Sequence, residues 1–266
     1  MMTMNLSRLH WRWIDDVPRV GAVQMALDEL FALRGEPVFR FYDWLPATVS
    51  LGFHQRANRL DFDKLSSLGL GVCRRPTGGR AVVHDQVLTY SVTAPLDEEG
   101  KPALWELYQW IGELWLDTLL GFDIPVELVE EPLARPGANF DGCFASGNRF
   151  ELACRGRKLL GSAQRRYPKT ALQHGSLRLA FPRIRASELF IDVNKNEPLE
   201  ETVATTLEEE CGRLVSAQAI QDWMYGVVSS AGYQLERSQI TEEELAEASR
   251  MAERFTVRAK QTVEVG

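Results

Sequence analysis

The chain has 266 residues, enough to bury the core of one large domain or of two small ones. Its hydrophobic fraction of 45% and charged fraction of 25% are those of an ordinary globular protein. The net charge of -7 argues against broad nucleic-acid binding, which needs a basic face to displace phosphate counterions. The four cysteines, Cys73, Cys143, Cys154 and Cys211, match no zinc or Cys-x-x-Cys spacing and are too few for a disulfide scaffold. Met1 to Asp16 lacks the continuous apolar core of a signal peptide, and no run is long and apolar enough to span a bilayer. The expectation is a cytoplasmic enzyme that engages neither membrane nor nucleic acid and holds no metal.

Taken in chain order, Ala22 to Leu33 reads as a helix, because Val23, Ala26, Leu27, Leu30 and Phe31 form an apolar stripe at helical spacing. Val38 to Tyr42 and Ala47 to Phe53 read as strands separated by a Trp44-Leu45-Pro46 turn. Phe62 to Leu68 is a short helix with Gly69 as its stop. Gly71 to Arg74, Ala81 to His84 and Leu88 to Thr93 are strand-like. Pro102 to Leu120 is the strongest helix, with Pro102 suited to a first turn and Gly121 following the last. Glu130 to Gly142 has two prolines, two glycines and no period, and reads as a loop. Arg149 to Cys154 and Lys158 to Arg165 form a hairpin across Arg155-Gly156, and Ala171 to Ala180 is a further strand. The chain then turns helical over Glu200 to Leu214, Ala217 to Gly232 and Thr241 to Phe255, with Thr241 and Glu244 at capping-box spacing. Strands interleaved with helices, then helices, predict an α+β domain with a mixed sheet. It is read as one domain over 1–266, with the residues after about Glu236 a candidate appended C-terminal helix and no clear linker before it.

The densest chemistry lies in Arg74-Arg75-Pro76-Thr77-Gly78-Gly79-Arg80-Ala81-Val82-Val83-His84-Asp85. Adjacent glycines let backbone approach a ligand closely, and the arginines offer fixed cationic forks to an anionic or carbonyl-bearing ligand. A second string, Gly156-Arg157-Lys158-Leu159-Leu160-Gly161-Ser162-Ala163-Gln164, begins a strand just past a tight turn, and a third, Gln173-His174-Gly175-Ser176-Leu177, follows. Read alone, Lys158 is an exposed turn lysine. Arg155, Arg157, Lys158, Arg165, Arg166 and Lys169 crowd this region. They read either as a contact face for an acidic protein or as the solvated face of a hairpin.

The three strings, in this order, resemble the lipoate-protein ligase and octanoyltransferase family, whose signature runs Arg-Arg-x-Ser/Thr-Gly-Gly-x-x-Val-x-His-Asp. The resemblance covers roughly Trp11 to Phe181. It implies an α+β fold like the catalytic domain of biotin and lipoate ligases. It implies that Arg74, Arg75, Thr77, Gly78, Gly79 and His84, with Gly161, Ser162 and Ala163, shape an acyl pocket, and that Lys158 contacts the reactive carbonyl. Acting as a base would require burial or a nearby cation to lower a lysine pKa of about 10.4; the neighbouring arginines are candidates for that cation.

Cys143, in Phe140-Asp141-Gly142-Cys143-Phe144-Ala145, is similar to the Cys-Phe pair of the octanoyltransferase branch. The ligases instead place Arg-Asn-Asp near this hairpin, where this chain has Gly147-Asn148-Arg149-Phe150-Glu151. The resemblance therefore implies transfer of octanoate from acyl carrier protein through a Cys143 thioester to the lysine of a lipoyl domain or of glycine cleavage H protein, with no cofactor. The rivals are an ATP-dependent lipoate-protein ligase, which would need ATP and Mg, a lipoyl-protein amidotransferase, and a non-enzymatic acyl-binding or carrier-docking protein. Cys154 is a weaker nucleophile candidate, Cys73 and Cys211 read as packing residues, and His84 and His174 read as structural rather than proton-transferring.

Overall fold

The computed structural model describes residues 6–96, 101–129, 151–191 and 200–259. In chain order its elements are β1 (His10–Asp15), α1 (Gly21–Arg34), β2 (Val38–Tyr42), β3 (Thr48–Leu51), α2 (Phe62–Ser67), β4 (Gly71–Arg74), β5 (Val82–His84), β6 (Val87–Pro95) and α3 (Lys101–Leu120). They continue with β7 (Val126–Leu128), β8 (Leu152–Cys154), β9 (Arg157–Arg166), β10 (Thr170–Arg178), α4 (Glu200–Val203), α5 (Leu207–Cys211), α6 (Ala217–Ser230), β11 (Gln234–Ser238) and α7 (Glu242–Met251). One mixed sheet runs β11-β1-β2-β6-β10-β9-β8-β7, and a small second sheet runs β4-β3-β5. This is the expected α+β architecture with a mixed sheet.

Alternation along the strands decides which face each helix covers. Trp11 and Trp13 of β1 and Phe39 and Phe41 of β2 pack with Leu107, Ile111, Leu114 and Trp115 of α3 and with Ile220 and Met224 of α6. Ile14, Val38 and Tyr42 point the other way, onto Met25, Leu27, Leu30 and Phe31 of α1. Each fully buried aromatic or aliphatic side chain contributes about 1.5–3 kcal/mol. Arg40, between Val38 and Tyr42 in alternation, is carried into this second face. There its Nη1 donates to Asp28 Oδ1 at 2.6 Å, with both side chains fully buried. The small sheet has its own core of Val49, Leu51, Leu65, Val83, Leu189 and Phe190.

Strands β2 and β4 have the bounds read from the sequence, and α1, α3 and the β8–β9 hairpin match closely. The hairpin turns on Arg155 (φ 50°) and Gly156 (φ 74°), the left-handed pair that a two-residue turn favours. The helix expected over Glu200 to Leu214 is instead two, α4 and α5. Ala204 forms a bridge with Lys158 and Thr205 N donates to Lys158 O at 2.9 Å, so this segment is recruited to the edge of β9. Thr206 then caps α5 by accepting from Glu209 N. The segment after Glu236 is more than a helix. It begins inside β11, which pairs in parallel with β1, and α7 is tied to α1 through Arg34–Glu247 at 2.5 Å and to β1 through Arg12–Glu244 at 2.6 Å. Three strands, β1, β7 and β11, have no counterpart in the sequence reading. No helix among the described residues is long and apolar enough to cross a membrane.

Candidate active site

The signature string links β4 to β5, and its arginines are turned inward. Arg74 Nη1 donates to the carbonyls of Gly52 (2.7 Å), Phe53 (3.0 Å) and Gln55 (2.7 Å). Arg75, 5% exposed, donates to Gly78 O and Arg80 O at 2.7 and 2.6 Å through Nη2, and to Ser50 O and Ser50 Oγ through Nη1. Arg74 thus holds the 52–55 segment, and Arg75 holds the signature turn and Ser50 while also lining the cavity described below. Charge-assisted bonds of this kind are the stronger class of hydrogen bond, so the turn is held rigidly. Gly52 explains itself here: a Cβ on it would lie 1.9 Å from Gly79 O. Gly78 and Gly79 remain exposed, Gly79 with φ 93°.

Beneath the turn is a small, partly open cavity of about 30 Å³. Arg75 and His84 of the signature line it, with Gly161, Ser162 and Ala163 of β9 and His174 of β10. Five sequence-predicted site residues therefore meet at one cavity, joined by Met25, Tyr42 and Trp44, which the sequence reading did not single out. Arg74, Thr77, Gly78 and Gly79 belong to the adjoining turn and are not part of this lining.

The cavity's polar groups satisfy one another. His84 Nε2 meets Ser50 Oγ at 2.8 Å and Nδ1 meets Ser176 Oγ at 3.4 Å. Ser176 Oγ meets Thr89 Oγ1 at 3.4 Å, and Trp44 Nε1 donates to Thr89 Oγ1 at 2.8 Å. The Trp44 ring stacks on His84 with centroids 3.9 Å apart. Burial, with Arg75 and His174 adding to it, holds the His84 imidazole well below its ordinary range, so the ring is neutral at physiological pH. Asp85 is not its partner. Although burial pushes the Asp85 carboxyl up, hydrogen bonds from Arg183 at 2.8 and 3.1 Å outweigh it and hold the group low. His84 and Asp85 thus face different tasks, in keeping with the structural reading of His84. A wall whose polar groups are already paired, the Arg75 cation on carbonyls included, suits an uncharged, largely apolar ligand.

Lys158 departs from its bare reading as an exposed turn residue. It is 1% exposed, and its Nζ donates to Glu151 Oε1 at 2.9 Å; Ser162 N approaches the same oxygen at 3.4 Å. The expected neighbour was an arginine; the group at 2.9 Å is a carboxylate. Glu151 was missed because nothing in the sequence distinguishes a buried glutamate from a surface one. Lys158 does not line the described cavity: it lies on the strand that supplies the Gly161 to Ala163 wall, linked to it by Glu151 and Ser162. Nor does it belong to a surface basic patch, and Arg157 in that patch pairs with Glu209 at 2.9 Å and Glu210 at 3.1 Å. From the same hairpin, Arg165 donates to Pro76 O at 2.9 Å and lies over the Phe53 ring, joining β9 to the signature turn.

Cys143 lies outside the described residues. Burial pushes the thiols of Cys73 and Cys154 up to about 12, and that of Cys211 upward as well. None of these three is prepared as a thiolate. Among the described residues no group of three or more His, Cys, Asp or Glu side chains is placed to hold a metal ion.

The family model of the lipoyl protein ligase A/B catalytic domain matches residues 21–226. The chain belongs to this family. Among its relatives, an octanoyltransferase LipM of Kyrpidia tusciae is 36% identical, over 92% of this chain and 96% of the relative. An octanoyltransferase LipM of Staphylococcus aureus is 34% identical, over 92% and 95%. Among solved structures, a T. acidophilum protein with bound lipoic acid superposes with a TM-score of 0.72 at 18% identity, over 92% of this chain and 96% of that one, a likeness of fold. The α+β fold expected from the three strings is that of this lipoyl ligase family, and its signature turn and glycine-serine strand meet at the cavity.

Proposed function

We propose that the chain is an octanoyltransferase of protein lipoylation. It takes octanoate from octanoyl-acyl carrier protein onto Cys143 as a thioester, then passes it to the lysine of a lipoyl domain or of glycine cleavage H protein. The observation that carries this reading is the end-to-end similarity to octanoyltransferases at 36% identity. The mostly apolar, internally paired cavity supports it, since an octanoyl tail brings no charge and asks for no hydrogen bond.

In the first step the Cys143 thiolate attacks the donor carbonyl, a C–S bond forms, the donor C–S bond breaks, and the carrier thiol leaves with a proton. In the second step the neutral acceptor amine attacks, a C–N bond forms as the Cys143 C–S bond breaks, and the amine's surplus proton passes to the departing Cys143 sulfur. Exchange between thioesters is close to isoenergetic and formation of the amide is downhill, so the route needs neither ATP nor metal. Lys158, held by Glu151, is placed in this reading as the group that polarises the carbonyl and assists proton transfer. Gly78 and Gly79, exposed at the lip of the turn, present backbone amides to the developing oxyanion.

The test is transfer to a purified lipoyl domain, read as an octanoyl mass gain on its lysine. Transfer from octanoyl-acyl carrier protein without ATP is the expected result. Modification only by free octanoate or lipoate with ATP and Mg would overturn it and make the chain a ligase. Binding of the acyl chain without transfer would leave only a carrier function.

A further inference from the structure

Three side chains from distant parts of the sequence meet under the signature turn. His174 Nδ1 lies 3.0 Å from Asp28 Oδ2, and His174 Nε2 lies 2.6 Å from Thr77 Oγ1. The three residues are 5%, 0% and 1% exposed respectively. Asp28 is fixed on its other sides by Arg40 Nη1 at 2.6 Å and by the Tyr42 hydroxyl at 2.8 Å. Burial pushes the Asp28 carboxyl up, but hydrogen bonding to His174 and the charge of Arg40 outweigh it and hold it low. An ionised carboxylate only accepts, so Nδ1 carries the ring proton; in the neutral ring Nε2 is the acceptor and the Thr77 hydroxyl donates.

Carboxylate, imidazole and hydroxyl in this order form the array that activates a serine or threonine nucleophile. One observation assigns it another task here. His174 lines the cavity, whereas Thr77 does not and is almost wholly buried, so its hydroxyl faces the imidazole and not the ligand space. Thr77 is also tied through its carbonyl, which accepts from Phe53 N at 2.8 Å. It immediately precedes Gly78 and Gly79, which are exposed.

We infer that His174, braced by Asp28, is a positioning residue that grips the Thr77 hydroxyl and so fixes where the Gly78-Gly79 amides meet the carbonyl end of the acyl chain. Arg75 holds the carbonyls of the same turn from one side and His174 holds its threonine from the other. The acyl substrate in this statement rests on the octanoyltransferase reading; the grip on the turn does not.

Four variants of the full chain test it. Thr77→Val keeps the side chain's shape and removes the hydroxyl, while Thr77→Ser keeps the hydroxyl. His174→Gln retains an acceptor near the Nε2 position, and His174→Asn retains only a donor near Nδ1. Loss of positioning predicts that Thr77→Val lowers kcat for octanoyl transfer by about tenfold or more with little change in the KM for the donor, because the tail site is intact. Thr77→Ser restores most of the rate, and His174→Gln retains more activity than His174→Asn. A Thr77→Val protein as active as the parent overturns the inference. So does an octanoyl ester on Thr77, distinguished from a thioester by its resistance to neutral hydroxylamine, which would make Thr77 a nucleophile. If the parent protein transfers no octanoate, the transferase reading fails separately. Hydrogen exchange at the 78–79 amides then decides the grip: faster exchange in Thr77→Val and His174→Asn than in Thr77→Ser supports it, and equal exchange overturns it.

Discussion

The signature turn and the Lys158 hairpin border one cavity but are held by opposite means. The turn is secured by many directed bonds, from Arg74 and Arg75 to backbone carbonyls and from the Thr77 hydroxyl to His174. The hairpin's chemistry-bearing lysine is secured by an ion pair buried on both sides, Lys158–Glu151. The paired arginines, the most charged part of the signature, do scaffolding work, and Arg75 is engaged with carbonyls even where it lines the cavity. A single lysine that looks like a surface residue is instead a buried cation, 1% exposed. Formal charge along the chain is therefore a poor guide to charge presented to ligand; the acceptors reached by each cation decide it.

The largest effect expected from breaking this contrast is at the ion pair. Glu151→Ala removes the carboxylate at 2.9 Å from a buried ammonium and should cost about 3–5 kcal/mol of stability. Chemical denaturation reads it, and a Glu151→Ala, Lys158→Met double variant should recover much of the loss. If Glu151→Ala costs under about 1 kcal/mol, the pair is not what holds the hairpin's lysine. Next comes Arg75→Lys, which keeps the charge but cannot reach Ser50, Gly78 and Arg80 together. A loss of about 2 kcal/mol and at least about tenfold in kcat/KM is expected, since the turn loses its fork. A neutral outcome would mean that the forked geometry is dispensable.

Gly52→Ala sharpens the same point without touching a charge. Its methyl would fall 1.9 Å from Gly79 O, so the turn must move, at a cost of about 1–3 kcal/mol. Thermal denaturation compared with Gly78→Ala, where a Cβ meets nothing within 4 Å, separates close approach from the general effect of adding a methyl.

How much of this was legible in the sequence varies with the kind of force involved. Strands β2 and β4 and helix α1 could be read because their side chains obey one period and their ends carry turn residues. Strand β1 carried a signal that was not used: His10-Trp11-Arg12-Trp13 alternates, with both tryptophans fully buried. Strand β11 carried almost none, since Gln234-Leu235-Glu236-Arg237-Ser238 is a polar edge strand made by its pairing with β1. The break between α4 and α5 follows from Ala204 and Thr205 joining β9, a tertiary event invisible to helical periodicity. At the site, residue types announced donors and acceptors but not their partners. Five predicted residues meet at the cavity, while Glu151, Asp28 and Trp44 entered only through the fold.

The smallest predicted effect is a pH dependence at Asp85. Its folded pKa lies below the ordinary value of 3.8, so its pairing contributes stability that is full above that value and is lost as pH falls through the folded pKa. Arg183 is 74% exposed, so screening by solvent keeps the contribution small. Asp85→Asn should therefore be slightly less stable than the parent at pH 7, with the gap closing once the pH falls well below 3.8. A gap that persists unchanged at low pH would show that the carboxylate charge is not its source.

The central claim is an acyl-enzyme on Cys143, and the most direct measurement is the intact mass of the protein after mixing with octanoyl-acyl carrier protein, with no ATP and no acceptor. The account predicts one octanoyl adduct that neutral hydroxylamine removes and that Cys143→Ala lacks, with Cys73 and Cys154 unmodified behind their raised thiol pKa values. An unmodified parent protein, or an adduct that survives in Cys143→Ala, would contradict it.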